Sequence, residues 1–235
     1  MRYTRVMDLR GIPGLFRPRP GDAGPIASMV ASAMAEDPLE RYFFPSPKAG
    51  EAAEVLFRLI AGYGIRQDCL LAASPRLEGV AYWELPEGRG PRCPPEARRS
   101  GRQGWYSGVP TALAEGLRLL GRAGPGGVLR MLHYSSFSLG LRRRHAPFAH
   151  GYLALLAVDP RCQGLGFGGA LLRPVLARLE ESGLPCYLET HTPRNVSFYG
   201  HFGFDVVEQA EIPGTGVRQW CLLKKSDGRR PRLAT

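Results

Sequence analysis

Residues 150–183, HGYLALLAVDPRCQGLGFGGALLRPVLARLEESG, constrain the fold more than any other stretch of this chain. The first nine residues, HGYLALLAV, run apolar almost without interruption. They predict a central strand buried on both faces of a sheet. The far end places Leu171, Leu172, Val175, Leu176 and Leu179 on one face of a helix. Gly183 and then Pro185 stop that helix, and Pro174 inside it predicts a kink. Between strand and helix lies DPRCQGLGFGG, in which Gly164, Gly166 and Gly169 spell G-x-G-x-x-G. Glycines let a backbone approach an anion closely, and the helix behind them offers unpaired N–H groups and a positive dipole end. The unit reads as a strand, loop and helix shaped around a phosphate.

Two phosphate ligands are weighed first. A nucleoside triphosphate loop of the Walker A kind is excluded, because no Gly-Lys-Ser/Thr follows the glycines. A dinucleotide is a stronger rival, since Glu189 lies 20 residues past Gly169, where a ribose-binding acid belongs. Two features count against it. DPRCQ separates Val158 from Gly164, whereas a dinucleotide strand runs almost directly into its first glycine. Only 66 residues follow Gly169, too few for the strand–helix repeats such a domain requires.

The chain has 235 residues, room for one large domain or two small ones. Its 44% apolar and 22% charged content is that of an ordinary globular protein. No apolar run approaches the ~20 residues needed to cross a membrane, and the opening MRYTRVMDLRGIPG lacks the apolar core of a secretory signal. The cysteines Cys69, Cys93, Cys162, Cys186 and Cys221 are scattered and form no C-x-x-C pair. Neither a zinc site nor a disulfide framework is expected, and a cytoplasmic location fits. The histidines show no H-E-x-x-H spacing, so no metal is expected either. The net charge is +10, with Lys48, Lys224 and Lys225 the only lysines. Such an excess suits an anionic ligand. No nucleic-acid motif or aromatic-studded basic helix accompanies it, so a nucleic-acid partner is not expected. The charge is read mainly as an arginine bias plus the tail KKSDGRRPRLAT.

The remaining elements follow from pattern. A short strand is expected at 15–17. A helix follows Asp22 and Pro25, carrying Ile26, Met29, Val30, Ala33 and Met34 inward and stopping before Pro38. A second helical run covers 48–64. CLLAASP and LEGVAYWEL read as an antiparallel hairpin. Residues 86–108 are rich in Pro, Gly and Arg and predict a long loop. Residues 110–141 read as helical, broken at GRAGPGG. After the glycine-loop helix come the strand CYLET, a short helix in PRNVSFYGHFG, and a closing strand pair, FDVVEQAEI and VRQWCLLKK. No internal repeat is visible.

Arg161-x-x-Gly164-x-Gly166 matches the R/Q-x-x-G-x-G/A signature of acetyl-CoA binding in the GNAT superfamily of N-acetyltransferases, and it accounts for the residues the dinucleotide pattern leaves over. LAVDPRCQGLGFGGALL resembles the strand–loop–helix core of that superfamily, and PRNVSFYGHFGF resembles its following segment. The likeness is greatest to the branch that includes puromycin N-acetyltransferase, through YLETHTPRNVSFYGHFGF, RQWCLLKK and AEDPLERYFFP. It is strong over 152–225, moderate over 16–85 and weak over 86–149.

The resemblance implies a fold and a set of roles. The fold is α/β: a mixed, mainly antiparallel sheet flanked by helices, with a splayed strand followed by a pyrophosphate-binding loop and a helix. One domain is expected over 1–225, with the long loop at 86–108 and a helical insert on the substrate side at 110–145. A basic, disordered tail is expected at 226–235. The amides of Gln163, Gly164, Leu165, Gly166, Phe167 and Gly168 would hold the pyrophosphate of coenzyme A, with Arg161 adding charge. Leu156, Ala157 and Val158 would pair with the pantetheine arm, one N–H polarising the thioester carbonyl. Tyr199 corresponds to the family tyrosine that protonates the departing thiolate, and Asn195 to the asparagine that contacts the cofactor.

An aliphatic amine of pKa about 10 must lose a proton before it attacks. Glu189, His150 and Tyr152 are the candidates to assist. Glu189 stands out as a carboxylate in an apolar strand, with the alternative role of holding His191 or Arg194. His150 and Tyr152 share one strand face and are assigned to the substrate. Gly151, where the branch often carries a bulky aromatic, is expected to widen the substrate side. Cys162 could be activated near the helix N-terminus but reads better as a tolerated small residue.

The expected activity is an acyltransferase reaction, acetyl moving from acetyl-CoA to a primary amine of a small molecule in a ternary complex. The acceptor would lie against 36–44, 86–108 and the helices before His150. The alternatives are a protein that binds acetyl-CoA without turnover, a protein or peptide N-acetyltransferase, a dinucleotide-binding protein and a basic adaptor. Pairing into homodimers is left open.

Overall fold

The computed structural model describes residues 9, 11–45, 49–86 and 95–226, with 95–115 described by backbone alone. The helices are α1 (Ala23–Met34), α2 (Pro38–Phe43), α3 (Ala49–Arg66), α4 (Pro95–His145), α5 (Phe167–Glu181) and α6 (Pro193–Gly200). The strands are β1 (Leu70–Ala72), β2 (Gly79–Glu84), β3 (Gly151–Val158), β4 (Cys186–Thr190), β5 (Asp205–Glu211) and β6 (Arg218–Lys224). They form one six-stranded sheet in the order β1-β2-β3-β4-β6-β5, antiparallel everywhere except between β3 and β4. Helices cover both faces, as the family resemblance implied.

The period-two alternation of the strands divides the core. Leu71, Ala81 and Trp83 face α5, where Leu171, Leu172, Val175 and Leu179 are buried together with Leu153, Leu188 and Leu222. Leu70, Ala72, Val80 and Tyr82 face the other way, onto Ile26, Val30, Phe43, Phe57 and Ala61 of α1, α2 and α3. A third cluster packs Leu141 and Ala146 over Tyr187, Cys221 and Leu223. Ile26, Leu171, Leu172, Leu222 and Trp83 are each at most 1% exposed. Each contributes about 1.5–3 kcal/mol by leaving water, and Trp83 more.

Three expectations are corrected. The strand at 15–17 reduces to one bridge, Phe16 to Ala72, because β1 is only three residues long and offers little edge to extend. Within 86–108, residues 87–94 lie outside the described residues, but the backbone from Pro95 onward is helical rather than a loop. Pro95 occupies the first helical position, where its missing N–H costs nothing, and Glu96, Ala97, Arg98 and Arg99 all favour helix. The helix α4 breaks only at Gly124, whose φ of 67° is not helical. The tail beyond residue 226 also lies outside the described residues.

The third correction concerns β3, which is not buried on both faces: its burial alternates, and several of its residues are half-exposed. The register explains this. Pairing with β4 covers only Gly151, Tyr152 and Leu153. Opposite β2 the register slips between Tyr82 and Trp83, which leaves Ala154 as the extra residue of a bulge. Beyond the bulge β3 stays with β2 and parts from β4, so a gap opens inside the sheet.

Candidate active site

The gap is the site. It continues into a cleft of about 630 Å³ walled by the end of β3, the glycine loop, α5 and α6. Asp159 begins the loop: its carboxylate accepts the Arg161 N–H at 2.9 Å and so caps the single 3₁₀ turn Pro160–Cys162. Gly164 and Gly166 then take φ of 82° and 87°, values that side chains other than glycine's rarely allow. Gly166 caps α5, its carbonyl accepting from the Ala170 N–H at 3.0 Å. A Cβ built on either glycine would meet nothing within 4 Å, so the cradle is open. Gly168 serves a different purpose: a Cβ there would lie 3.1 Å from Phe198, so its absence lets α5 approach α6.

The antiparallel ladder settles where the β3 backbone points. The Asp159 N–H bonds the Glu78 carbonyl at 2.8 Å. By alternation, Ala157 and Leu155 turn their amides to β2, and Leu156 and Val158 turn theirs into the gap. The Gln163 side chain reaches the Val158 carbonyl at 3.4 Å. The Leu156 N–H is thus a backbone donor aimed at the cleft.

The Thr192 hydroxyl accepts from the Asn195 N–H at 3.3 Å and caps α6, with Pro193 at its first position. This cap presents Asn195 and Tyr199, one turn apart, to the cleft. Both residues, with Leu156 and Asp37, also border a smaller cavity of about 130 Å³ behind the cleft. Tyr199 is 7% exposed, and burial pushes its phenol well above the usual tyrosine range.

The inner cavity is polar. Glu189 on β4 accepts a hydrogen bond from the Ser138 hydroxyl of α4 at 3.0 Å. Burial raises the Glu189 carboxyl above the ordinary 4.5, against the pull of hydrogen bonds from Tyr152 and Ser138. Tyr152 stacks on Tyr187 with ring centroids 6.2 Å apart, and the Arg142 guanidinium lies 4.2 Å from the Tyr152 ring centre. Arg142 also donates to Glu84 at 3.0 Å. Burial, and then the nearby Glu189, keep the Tyr152 phenol protonated. His191 lies 3.7 Å from Asp37 and edge-on to Tyr134, and burial lowers its pKa below 6.5. Glu40 on α2 is 8% exposed, and its Oε1 is buried with no hydrogen-bond partner among the described residues. Burial first, and Asp37 second, push the Glu40 carboxyl up to about 7.

The residues expected at the site divide into three sets. Leu156, Ala157, Val158, Gln163, Gly164, Gly166, Phe167, Gly168, Asn195 and Tyr199 line the cleft; Glu189 and Tyr152 line the inner cavity. Arg161, Leu165 and His150 border neither. The Arg161 guanidinium folds back on Asp159 at 2.7 and 3.0 Å and holds that carboxyl down at about 2. Leu165 is 70% exposed. The His150 Nδ1 lies 2.7 Å from the Phe148 carbonyl, and its ring meets Tyr187 edge-on. Gly151 does not widen the substrate side: a Cβ there would strike Leu179 of α5 at 2.7 Å. Glu189 holds Ser138, while Arg194 lines the outer cleft. Asp37 and Glu40 fall in the 36–44 segment expected against the acceptor, but their individual roles carry no sequence signal. Tyr134, Ser138 and the cavity position of His191 carry none either. A serine in mid-helix matches no motif.

A family model described as the acetyltransferase (GNAT) family matches residues 129–204, the stretch from the second half of α4 through α6. Among solved structures, the chain is similar to the histone acetyltransferase HPA2 and related acetyltransferase from Corynebacterium glutamicum (22% identity, TM-score 0.60, 91% of this chain and 96% of that one). It is also similar to Drosophila melanogaster polyamine N acetyltransferase (14%, 0.56, 90% and 98%). A third is the PaiA N-acetyltransferase from Thermoplasma acidophilum, solved in complex with coenzyme A (12%, 0.50, 90% and 97%). At these identities the likeness is one of fold. The 129–204 segment is thus similar to the GNAT acetyltransferase family, and the three solved structures share the arrangement of sheet, loop and helix.

Proposed function

We propose that this chain moves acetyl from acetyl-CoA to a primary amine of a small molecule, directly and within a ternary complex. The observation that carries the reading is the meeting of the glycine-loop cleft and the acidic inner cavity at Leu156, Asn195 and Tyr199. An anion-binding loop on one side and buried carboxylates on the other suit a phosphorylated donor and a cationic acceptor.

Acetyl-CoA fits the open cradle at Gly164 and Gly166, and when bound it supplies the activated acyl group. The loop amides from Gln163 to Gly168 hold its pyrophosphate, and Asn195 contacts its arm. The Leu156 N–H, turned into the gap, stabilises the developing oxyanion. Glu189 takes the proton from the ammonium, helped by a pKa that burial has raised above the ordinary carboxylate value. Tyr199, kept protonated by burial, gives a proton to the departing thiolate. The small volume of the inner cavity and its carboxylates favour a compact cation over a polypeptide. The motif likeness to the puromycin N-acetyltransferase branch supports the same preference.

The test is thiol release from acetyl-CoA across a panel of small amines, beside acetyl-CoA-dependent thermal stabilisation. Stabilisation with amine-dependent release is expected. Stabilisation by acetyl-CoA without release from any amine would overturn the transfer step, and stabilisation by NAD alone would overturn the donor.

A further inference from the structure

Glu40 is the residue the proposed reaction leaves unused. Its carboxylate lies on α2, a different wall of the inner cavity from Glu189 on β4. It is 8% exposed, and its Oε1 is buried with no hydrogen-bond partner among the described residues. A buried carboxylate without a partner is costly, and proteins seldom keep one that nothing satisfies. A like charge aggravates the cost: Asp37, one helical turn earlier, borders the same cavity and disfavours the ionised Glu40.

The cations described around α2 and the inner cavity are committed elsewhere. Arg41 pairs with Glu36. Arg130 spends its Nε and Nη2 on the Phe43 carbonyl at 3.1 and 3.0 Å. Arg142 serves Glu84 and the Tyr152 ring. His191 faces Asp37, but burial disfavours its charged form. Among the described residues the wall therefore carries two carboxylates and no fixed cation to answer them, a deficit that a ligand can fill.

Resting on the acetyl-transfer reading, we infer that Glu40, with Asp37 beside it, forms a subsite for a second cationic nitrogen of the acceptor. The acceptor is then an amine that carries two positive centres. One nitrogen reaches Glu189 and the Leu156–Tyr199 junction and is acetylated. The other stays charged and rests on Glu40. A monoamine leaves that carboxylate unanswered.

The probes are 1,4-diaminobutane and butylamine, which match in chain length and differ by one charge. Binding of each is measured by calorimetry on the full chain, and thiol release from acetyl-CoA is followed with each. The wild-type protein is expected to favour the diamine. The isosteric Glu40→Gln variant is expected to reduce the diamine-to-monoamine ratio by about tenfold or more, the scale of a lost charge-assisted hydrogen bond. Stabilisation of the variant by acetyl-CoA reports that its fold is intact. An equal ratio in wild type and variant, or a proportionate loss for both amines, overturns the subsite. Diamine binding that depends on Glu40 without thiol release from any amine overturns the transfer reading and leaves the subsite standing.

Discussion

The Ser138 hydroxyl donates to Oε1 of Glu189 at 3.0 Å, a bond that joins α4 to β4 across 51 residues of sequence. It is one of the interactions that pull the Glu189 carboxyl back toward its ordinary range against burial. Ser138→Ala removes that donor, so the Glu189 pKa rises further. The low-pH limb of kcat/KM for thiol release is expected to move to higher pH, with the plateau above it largely retained. A pH–rate profile of both proteins checks this. An unmoved limb separates Glu189 from the rate-determining proton.

Glu40 ties stability to pH. Its carboxyl titrates near 4.5 when unfolded and at about 7 when folded. Between those values the folded state holds the extra proton, so stability falls as pH rises through the window. Below the window both states are protonated and Glu40 costs nothing. Above it the ionised, buried carboxylate costs up to about 3 kcal/mol. Glu40→Gln is therefore expected to melt higher than wild type at pH 8 and level with it at pH 4, as calorimetry would report.

At Gly166 the backbone itself is the constraint. With φ at 87°, an alanine there costs about 1–2 kcal/mol. Because the cradle is open, the added methyl strikes no protein atom. Gly166→Ala should lower the melting temperature modestly and weaken acetyl-CoA-dependent stabilisation, since the loop amides are re-aimed. A thermal shift series with acetyl-CoA reads both effects.

Gly151 faces the opposite problem, with both Leu179 methyls 2.7 Å from where a Cβ would sit. Leu179 is 1% exposed and has nowhere to move. Gly151→Ala is expected to destabilise by about 1–3 kcal/mol through overpacking. Adding Leu179→Ala makes room, so the double variant should lose less than the sum of the two singles in denaturant titrations.

Much of this site was legible because its signals are local. The glycine pattern, the apolar runs of β3 and α5, and the short helix in PRNVSFYGHFG each lie within one short stretch. Glu189 announced itself as a carboxylate among apolar strand neighbours. The rest is non-local. Glu40 and Asp37 reach the cavity because α2 packs on α4, and Ser138 reaches Glu189 because the second half of α4 lies over β4 and β6. No periodicity encodes those meetings. The segment from Pro95 is helical despite its Gly and Pro content, because the helix formers between those residues prevail. Arg161 matched a motif, but its own neighbour Asp159 captures the charge that the motif assigns to the ligand.

The short pairing of β3 with β4 has a mechanical consequence. Three residue pairs are all that join the half-sheet β1-β2-β3 to the half-sheet β4-β6-β5 through backbone bonds. The two halves meet along a seam, and the packing of α5 bridges it. Any strand-like ligand laid in the gap lengthens that seam. The rigidity of one half against the other then depends on occupancy, and amide exchange in β4 is the place where tightening would register first.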